Sequence, residues 1–454
     1  MTELQKKEMK KHLLKDLARL VKVPSTRDLT TKGPQAPFGE GIRKAFDVFA
    51  DIATKLGFSV TDCEGYAMYA SMGGEGTYVG VLAHLDVVEV GNLDDWNSDP
   101  FQLYECDEIL YGRGVNDDKG PLLAALYAAW RIKEEGHRLR YPLRLIVGGA
   151  EETTWECMEH YFQHHEQPVC GFSPDGNFPI VNGEKGILQV RFLFPVTDSL
   201  RIHCTHRLNY VCDELRVEVP EDMDVEFAKL AECSSASKGK ELIYRGSQTL
   251  SRNPQRGKNA IFYFVKDFLK YKPANGSLKQ LLQMIQDQFL DDFYGEKSGL
   301  YHVDLDMGTT SVCPMSITCN ENVFELCLDI RYVKGMYEAG LMKHLRELAA
   351  QYDAQLDILK HKRLLYVEED SLLIQGLKNA YHRVMHTEAK TITKGGASYA
   401  RVLEHGVAFG ATFDGEDPKP HMPNECMRID SLMKASEIYY EALMELIVDK
   451  YDEG

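Results

Sequence analysis

The apolar positions in the first third of the chain alternate between two periods. In MTELQKKEMKKHLLKDLARLVKV they fall at helical spacing among lysines, and FGEGIRKAFDVFADIATKLGF repeats the pattern, so two amphipathic helices are predicted. Short apolar runs follow: MYASM, YVGVLAHLDVV and LRLIVGGA read as strands. Between the last two lies GPLLAALYAAWRIKEEG, a helix ended by Gly136. Strand, helix, strand in this order predicts a sheet with helices on its faces. In such sheets ligands gather beyond the carboxyl ends of the strands, so the polar residues there are the ones to inspect.

From about Gly186 to about Lys362 the pattern changes. GILQVRFLF, LRVEVP and ENVFELCLDIRYV alternate like half-buried strands, separated by the helical AIFYFVKDFLKY and GLMKHLRELAAQYDA. DSLLIQGLKNAYHRVMH, VAFGATF and SLMKASEIYYEALMELIVDKY then resume the helix and strand alternation of the first third. A chain of 454 residues exceeds one ordinary hydrophobic core. The expected fold is α/β: a mixed-sheet domain with helices on both faces, built from residues 1–185 and 363–454, with an α+β domain inserted over 186–362.

Composition narrows the partners. Hydrophobic residues make up 44% and charged residues 27%, as in ordinary globular chains. The 52 basic and 69 acidic side chains leave a net charge of −17, and no Lys/Arg cluster is dense enough to track phosphates. Nucleic acid and membrane are therefore not expected partners. No apolar run reaches the length of a membrane span, and the lysine-broken start lacks the core of a signal peptide, so a soluble cytoplasmic protein is expected. The eleven cysteines include no C-x-x-C pair, which argues against a disulfide framework and a thiolate zinc site.

Carboxylates and histidines collect at the predicted strand ends. AHLDVV offers His84 and Asp86, two apart and so on one face of a strand. YGRGVNDDKGP places Asp117 and Asp118 in a glycine-rich loop before a helix; GGAEETTWE adds Glu151 and Glu152, GFSPDGNFP adds Asp175, and GEDPKPHMPNE adds His421. Each has an ordinary explanation alone: a chance strand pair, a turn, a solvated helix start. Together they suggest a cation, because adjacent carboxylates in a cleft repel unless positive charge sits between them. Histidine and carboxylate without thiolate suit zinc, manganese or cobalt. The candidates outnumber the ligands of one ion, so two metals sharing a bridging carboxylate fit better. One of Glu151 and Glu152 would then bind metal while the other takes a proton from the attacking water. His160, His164 and His165 in EHYFQHHE are read as an exposed helical surface, since no strand end presents them.

The motifs LAHLDVV, WNSDPF, YGRGVNDDKGP, GGAEETTWE, SPDGNFP, GEKGI and HMPNE resemble the di-zinc aminoacylase and carboxypeptidase superfamily of metallopeptidases, most closely its PepV-type dipeptidases. The resemblance runs along nearly the whole chain and is strongest outside the inserted region. It implies two zinc ions, with manganese or cobalt as alternatives, one bound by His84 and Asp175, the other by Glu152 and His421, and both bridged by Asp117. It makes Glu151 the general base, Asp86 the carboxylate that fixes the tautomer of His84, and the Asp117–Asp118 peptide cis. It makes the inserted domain a lid that binds substrate. Asn209 matches an asparagine near the substrate, Arg331 an arginine that pairs with the substrate carboxylate, and Gly395 and Gly396 a glycine-rich substrate loop. The activity implied is hydrolysis of dipeptides or similar small N-acyl amino acids.

The lid departs from the family pattern. Where relatives carry G-x-S-A-H-x-x-x-P-x-x-G-x-N-A, this chain reads GSQTLSRNPQRGKNA, with Leu250 in place of the histidine that stabilises the oxyanion. Losing such a donor costs about a hundred- to a thousandfold in turnover. GGxxxN has become CTHRLN, which puts His206 three residues before Asn209, where it could substitute. Three readings follow: a dipeptidase, an amidohydrolase of the same chemistry with a shifted substrate, or a metal-binding protein whose lid closes on a ligand without cutting it. Monomer and homodimer both stay open, since a partner chain could supply the missing donor.

Overall fold

The computed structural model describes residues 2–196, 200–204, 209–220, 230–237, 241–271, 276–320 and 322–449. The chain divides into two units. The first runs up to Gly183 and resumes over Leu365–Ile392 and from Ala397 on; the second comprises Glu184–Leu364 and the short piece Thr393–Gly396.

A mixed sheet forms the centre of the first unit. Its strands lie in the order Ser59–Cys63, Ala67–Met72, Leu143–Gly148, Val79–His84, Cys170–Ser173, Gly406–Ala408, Ile180–Glu184 and Leu365–Tyr366. The middle four are mutually parallel: Val79–His84 lies between Leu143–Gly148 and Cys170–Ser173, and Gly406–Ala408 continues beyond. Every residue of Val79–His84 is buried, so both faces of the sheet are covered there, as expected of a central parallel strand.

The covering helices follow their apolar periods. Lys119–Glu135 buries most of its length and stops at Gly136, whose φ of 73° closes the last turn without a Cβ penalty. It packs on Val79–His84 and on the long carboxyl-side helix Ile429–Ile447, which in turn packs on Leu372–Met385. Glu3–Val21, opened by a capping box of Thr2 and Gln5, lies against Lys119–Glu135, and Glu40–Lys55 packs on the first two strands.

The second unit has its own core. A four-stranded antiparallel sheet, Ser311–Cys319, Val323–Tyr332, Gly186–Pro195 and Gln355–Lys362, is accompanied by a smaller one of Arg201–Cys204, Glu214–Glu218, Glu241–Arg245 and Ser235–Ser237. Helices Ala260–Tyr271 and Ser277–Gln288 pack against these strands. Gly186 stands where any Cβ would lie 2.0 Å from the Tyr332 ring, which explains the glycine in GEKGI. Among the described residues no helix is long and apolar enough to cross a membrane, and all eleven cysteines are free.

Candidate metal centre

The parallel strands all end at one edge of the sheet, and His84, Glu151, Glu152 and Asp175 lie at or just past those ends. His84 is the last residue of its strand and pairs with Gly148, the last of the neighbouring one. Glu151 and Glu152 follow Gly148 by three and four residues, and Asp175 follows the strand ending at Ser173 by two. Two glycines make the turn into the glutamates possible. A Cβ on Gly148 would lie 2.4 Å from the Tyr399 hydroxyl, and one on Gly149 would lie 2.8 Å from Ile42.

Asp117 sits in the loop between the strand Ile109–Tyr111 and the helix Lys119–Glu135. Its peptide with Asp118 is cis. His421 arrives from the far end of the chain with φ 62°. Asp117 lies between the two histidines: Oδ1 is 2.9 Å from His84 Nε2, and Oδ2 is 3.0 Å from His421 Nε2. His421 Nε2 is also 2.9 Å from Glu152 Oε1, and Asp175 Oδ2 is 4.0 Å from His84 Nε2. Ligand atoms of His84, Asp117 and Glu152 all lie within 4.8 Å of one another. Five nitrogen and oxygen donors converging without a thiolate are a donor set that fits borderline divalent metals.

The electrostatics agree with a site built for cations. Burial pushes Asp175 up to about 7, with the charge of Asp117 as the next cause. The same two causes, in the same order, raise Glu152. Asp117 is also buried, yet hydrogen bonds from His421 and His84 hold it below the usual carboxylate range. Against the opposing effect of burial, bonds to the surrounding carboxylates raise both histidines, His421 to about 11. Three carboxylates and two imidazoles thus share protons in a space where bound cations would satisfy the carboxylates instead.

Asp86 behaves differently from the expectation. The strand ends at His84, so the two residues do not share a strand face. His84 Nδ1 is 2.9 Å from the backbone carbonyl of Asp86 and 3.6 Å from its carboxylate. The carboxylate instead accepts the backbone N–H groups of Glu151 at 3.1 Å and Glu152 at 3.0 Å. Asp86 therefore orients His84 chiefly through its main chain, and its side chain fixes the glutamate turn. Trp155 Nε1 donates to the Glu151 carbonyl at 2.6 Å from the other side.

Glu425 was not singled out from sequence. It is fully buried and accepts N–H bonds from Gly114, Asn116 and Asp117 at 3.0–3.1 Å. Its other partner is Arg113, at 2.8 Å, whose guanidinium lies 5.1 Å from the Trp96 ring centre. Asn424 bridges the same segments, accepting from Asn97 N and donating to Asp95 O. WNSDPF, YGRGVNDDKGP and HMPNE are thus one hydrogen-bonded assembly around Asp117. The available sign was an acidic residue just before the alternating run CMRI, matched by an arginine inside a glycine-rich loop. Lys119 is another buried charge: it donates to the carbonyls of Leu20 and Val23, and burial lowers it to about 7.

The candidates in the second unit form their own network. Arg331 is only 5% exposed, which excludes an ordinary surface arginine. Its Nε donates to Asp329 at 2.8 Å and its Nη1 to the Gly395 carbonyl at 2.8 Å. Asn209, at φ 68°, accepts from Gln189 through its side chain and from Ser251 N through its carbonyl. Leu250 is half-buried and bridges to Tyr210. His206 lies outside the described residues. Of the EHYFQHHE histidines, His160 contacts Glu64 and stacks on Tyr66, His165 is half-buried beside Tyr161, and His164 is exposed. The expected solvated surface is therefore partly a packed one.

Comparison with known proteins supplies the family. Residues 80–445 match the model for peptidase family M20/M25/M40. The chain is 32% identical over 458 residues to "Putative dipeptidase YtjP" of Bacillus subtilis, covering 96% of this chain and 97% of that one. Its fold is similar to human carnosine dipeptidase 1, with TM-score 0.60, 17% identity, and 98% and 97% of the two chains covered. It is equally similar to the Saccharomyces cerevisiae di-peptidase Dug1p, with TM-score 0.61, 14% identity and 97% of each chain. The chain belongs to peptidase family M20/M25/M40.

Proposed function

We propose that this chain hydrolyses dipeptides or similar small N-acyl amino acids, using two divalent metal ions held by His84, Asp117, Glu152, Asp175 and His421. The observation that carries the reading is the placement of Asp117 between His84 and His421, with Glu152 against His421 and Asp175 against His84. An acid with each carboxylate oxygen turned to a different histidine has the form of a bridging ligand. The dipeptidase names of a sequence relative and of two proteins of the same fold support the substrate class. Zinc is the expected metal, and manganese or cobalt would suit the same donors.

The bound ions would supply Lewis acidity and an activated water. The chain's own part is proton transfer and positioning. Glu151 would receive the water proton on its carboxylate and return it to the leaving nitrogen. Asp86 holds the backbone of Glu151 and Glu152 together, so the base and a ligand move as one piece. The backbone carbonyl of Asp86 accepts from His84 Nδ1 and leaves Nε2 as the ligand atom. In the second unit Arg331 would bind the substrate carboxylate, with Asn209, Gly395 and Gly396 lining the same substrate.

Glu151→Gln is the direct test. Released amino acids from a dipeptide panel should fall by about a hundred- to ten-thousandfold, while metal content stays at the wild-type stoichiometry. Full activity in this variant would remove Glu151 from the mechanism.

A further inference from the structure

Building on the proposed hydrolysis of small peptides, we infer that the second unit is built for a substrate with two carboxylates. Arg252 is the residue that takes the second one, and the preferred C-terminal residue is aspartate or glutamate.

The inference starts from the Gly395–Gly396 loop, where two arginines meet. Arg331 reaches the carbonyl of Gly395 at 2.8 Å. Arg252 packs along the same two glycines: a Cβ on Gly395 would lie 3.2 Å from its Cδ, and one on Gly396 would lie 3.1 Å from its Nη1. The glycines thus make room for Arg252. Arg252 is exposed and pairs with no carboxylate among the described residues. Partial desolvation, and next the like charge of Arg331, make its charge less favourable. Lys185, which donates to the Thr309 carbonyl, also lies within the influence of Arg331.

Arg331 contacts the carboxylate of Asp329, which is already engaged. Its Oδ1 accepts from Gln189 at 3.0 Å, and its Oδ2 from Ser251 and Arg331 at 2.8 Å each. Asp329 thus serves Arg331, while Arg252 and Lys185 lie within the influence of Arg331 without a carboxylate partner among the described residues. Like charges held together in a partly desolvated site repel, and the arrangement gains stability when anions enter it. A substrate with only a terminal carboxylate leaves one positive charge unmatched. One ending in aspartate or glutamate matches both.

The commitments of Arg331 point the same way. With Nε on Asp329 and Nη1 on a carbonyl, Arg331 is fixed in place and can address one carboxylate with its remaining edge. Arg252 has no carboxylate partner among the described residues and would take a second group a few bonds away on the same residue. It stands two positions after Leu250, in the segment where the family histidine is missing.

The experiment measures kcat/KM of the metal-loaded chain on Ala-Glu, Ala-Gln, Ala-Asp and Ala-Asn, for wild type, Arg252→Gln and Arg252→Lys. The acidic member of each isosteric pair should be preferred by about tenfold or more, mainly through KM, and Arg252→Gln should bring the ratio close to one. Arg252→Lys should restore part of the preference, since charge is kept while the planar fork is lost. Equal rates on Ala-Glu and Ala-Gln in wild type, or a ratio unchanged in Arg252→Gln, would overturn the inference. Both outcomes leave the peptidase reading intact and mean that the arginines share one carboxylate. Calorimetric binding of the same peptides to Glu151→Gln, with and without Arg252→Gln, separates the two claims. If no peptide is cleaved by wild type but Ala-Glu binds more tightly than Ala-Gln through Arg252, the hydrolysis reading fails and the selectivity stands. Equal binding in that case overturns both.

Discussion

Glu425 shows how one buried side chain sets the geometry of another. It receives the N–H groups of Gly114, Asn116 and Asp117 and neutralises Arg113, all in the interior. Burial raises the pKa of its own carboxyl, an effect that Asp117 reinforces and that these N–H bonds and Arg113 oppose. Replacing it by glutamine keeps the shape but leaves the Arg113 charge unpaired. Glu425→Gln should lose about 3 kcal/mol of stability in denaturant unfolding, the usual scale for breaking one side of a buried ion pair. Because the Asp117 N–H then meets a neutral amide oxygen instead of a carboxylate, the loop is held less firmly, and metal affinity should fall by about tenfold or more. Wild-type stability together with wild-type metal affinity would show that the loop holds itself.

At the scale of elements, the strand Leu143–Gly148 and its turn place Glu151 and Glu152, the proposed base and ligand, side by side. The strand ends in two glycines because Tyr399 presses on the first and Ile42, Phe46 and Phe38 on the second. Tyr399 is fully buried, its hydroxyl is 2.8 Å from Cys157 Sγ, and its ring lies edge-on to His84 at 6.0 Å. Gly148→Ala therefore has no soft neighbour to displace. We expect a loss of about 1–3 kcal/mol, the usual cost of overpacking a core, and a drop in turnover from the displaced Glu151 and Glu152. An alanine variant with unchanged melting temperature and rate would mean that Tyr399 moves aside freely.

At the scale of the whole molecule, the two units contribute different chemistry. The first carries converging histidines and carboxylates that could hold metal, and the second holds the buried Arg331 between Asp329 and the Gly395 carbonyl. Chelation should abolish activity and lower the melting temperature, because saturating metal stabilises by about 2.7 kcal/mol at a hundred times its dissociation constant. In the metal-free chain His84 and His421 are raised and Asp175 reaches about 7, so the folded site holds protons that metal must displace. Raised pKa values in the competing form mean that affinity grows with pH, most steeply below about 7, where Asp175 still holds its proton. Titration calorimetry at about pH 6 and about pH 8 should show the tighter constant at the higher pH, with protons released on binding. A pH-independent constant would contradict the shared-proton description.

Much of this was written in local sequence. The helix Lys119–Glu135 and its stop at Gly136 follow from apolar spacing and a glycine, and the strands ending at His84 and Gly148 from short apolar runs. Those properties are encoded within a few residues, so one sequence suffices to read them, and the order of motifs along the chain was enough to nominate the donor residues. Tertiary structure decided what depends on distant segments meeting. His421 and Glu152 are 2.9 Å apart across a long stretch of chain, Glu425 reaches back to the Asp117 loop, and Asp86 turns its carboxylate to the glutamate backbone while its carbonyl serves His84. Arg252 lies beside Gly395 and Gly396, residues far from it in sequence. Local periodicity fixes which face of an element is apolar. The partner of a buried charge is set by how those faces pack, and no local pattern records it.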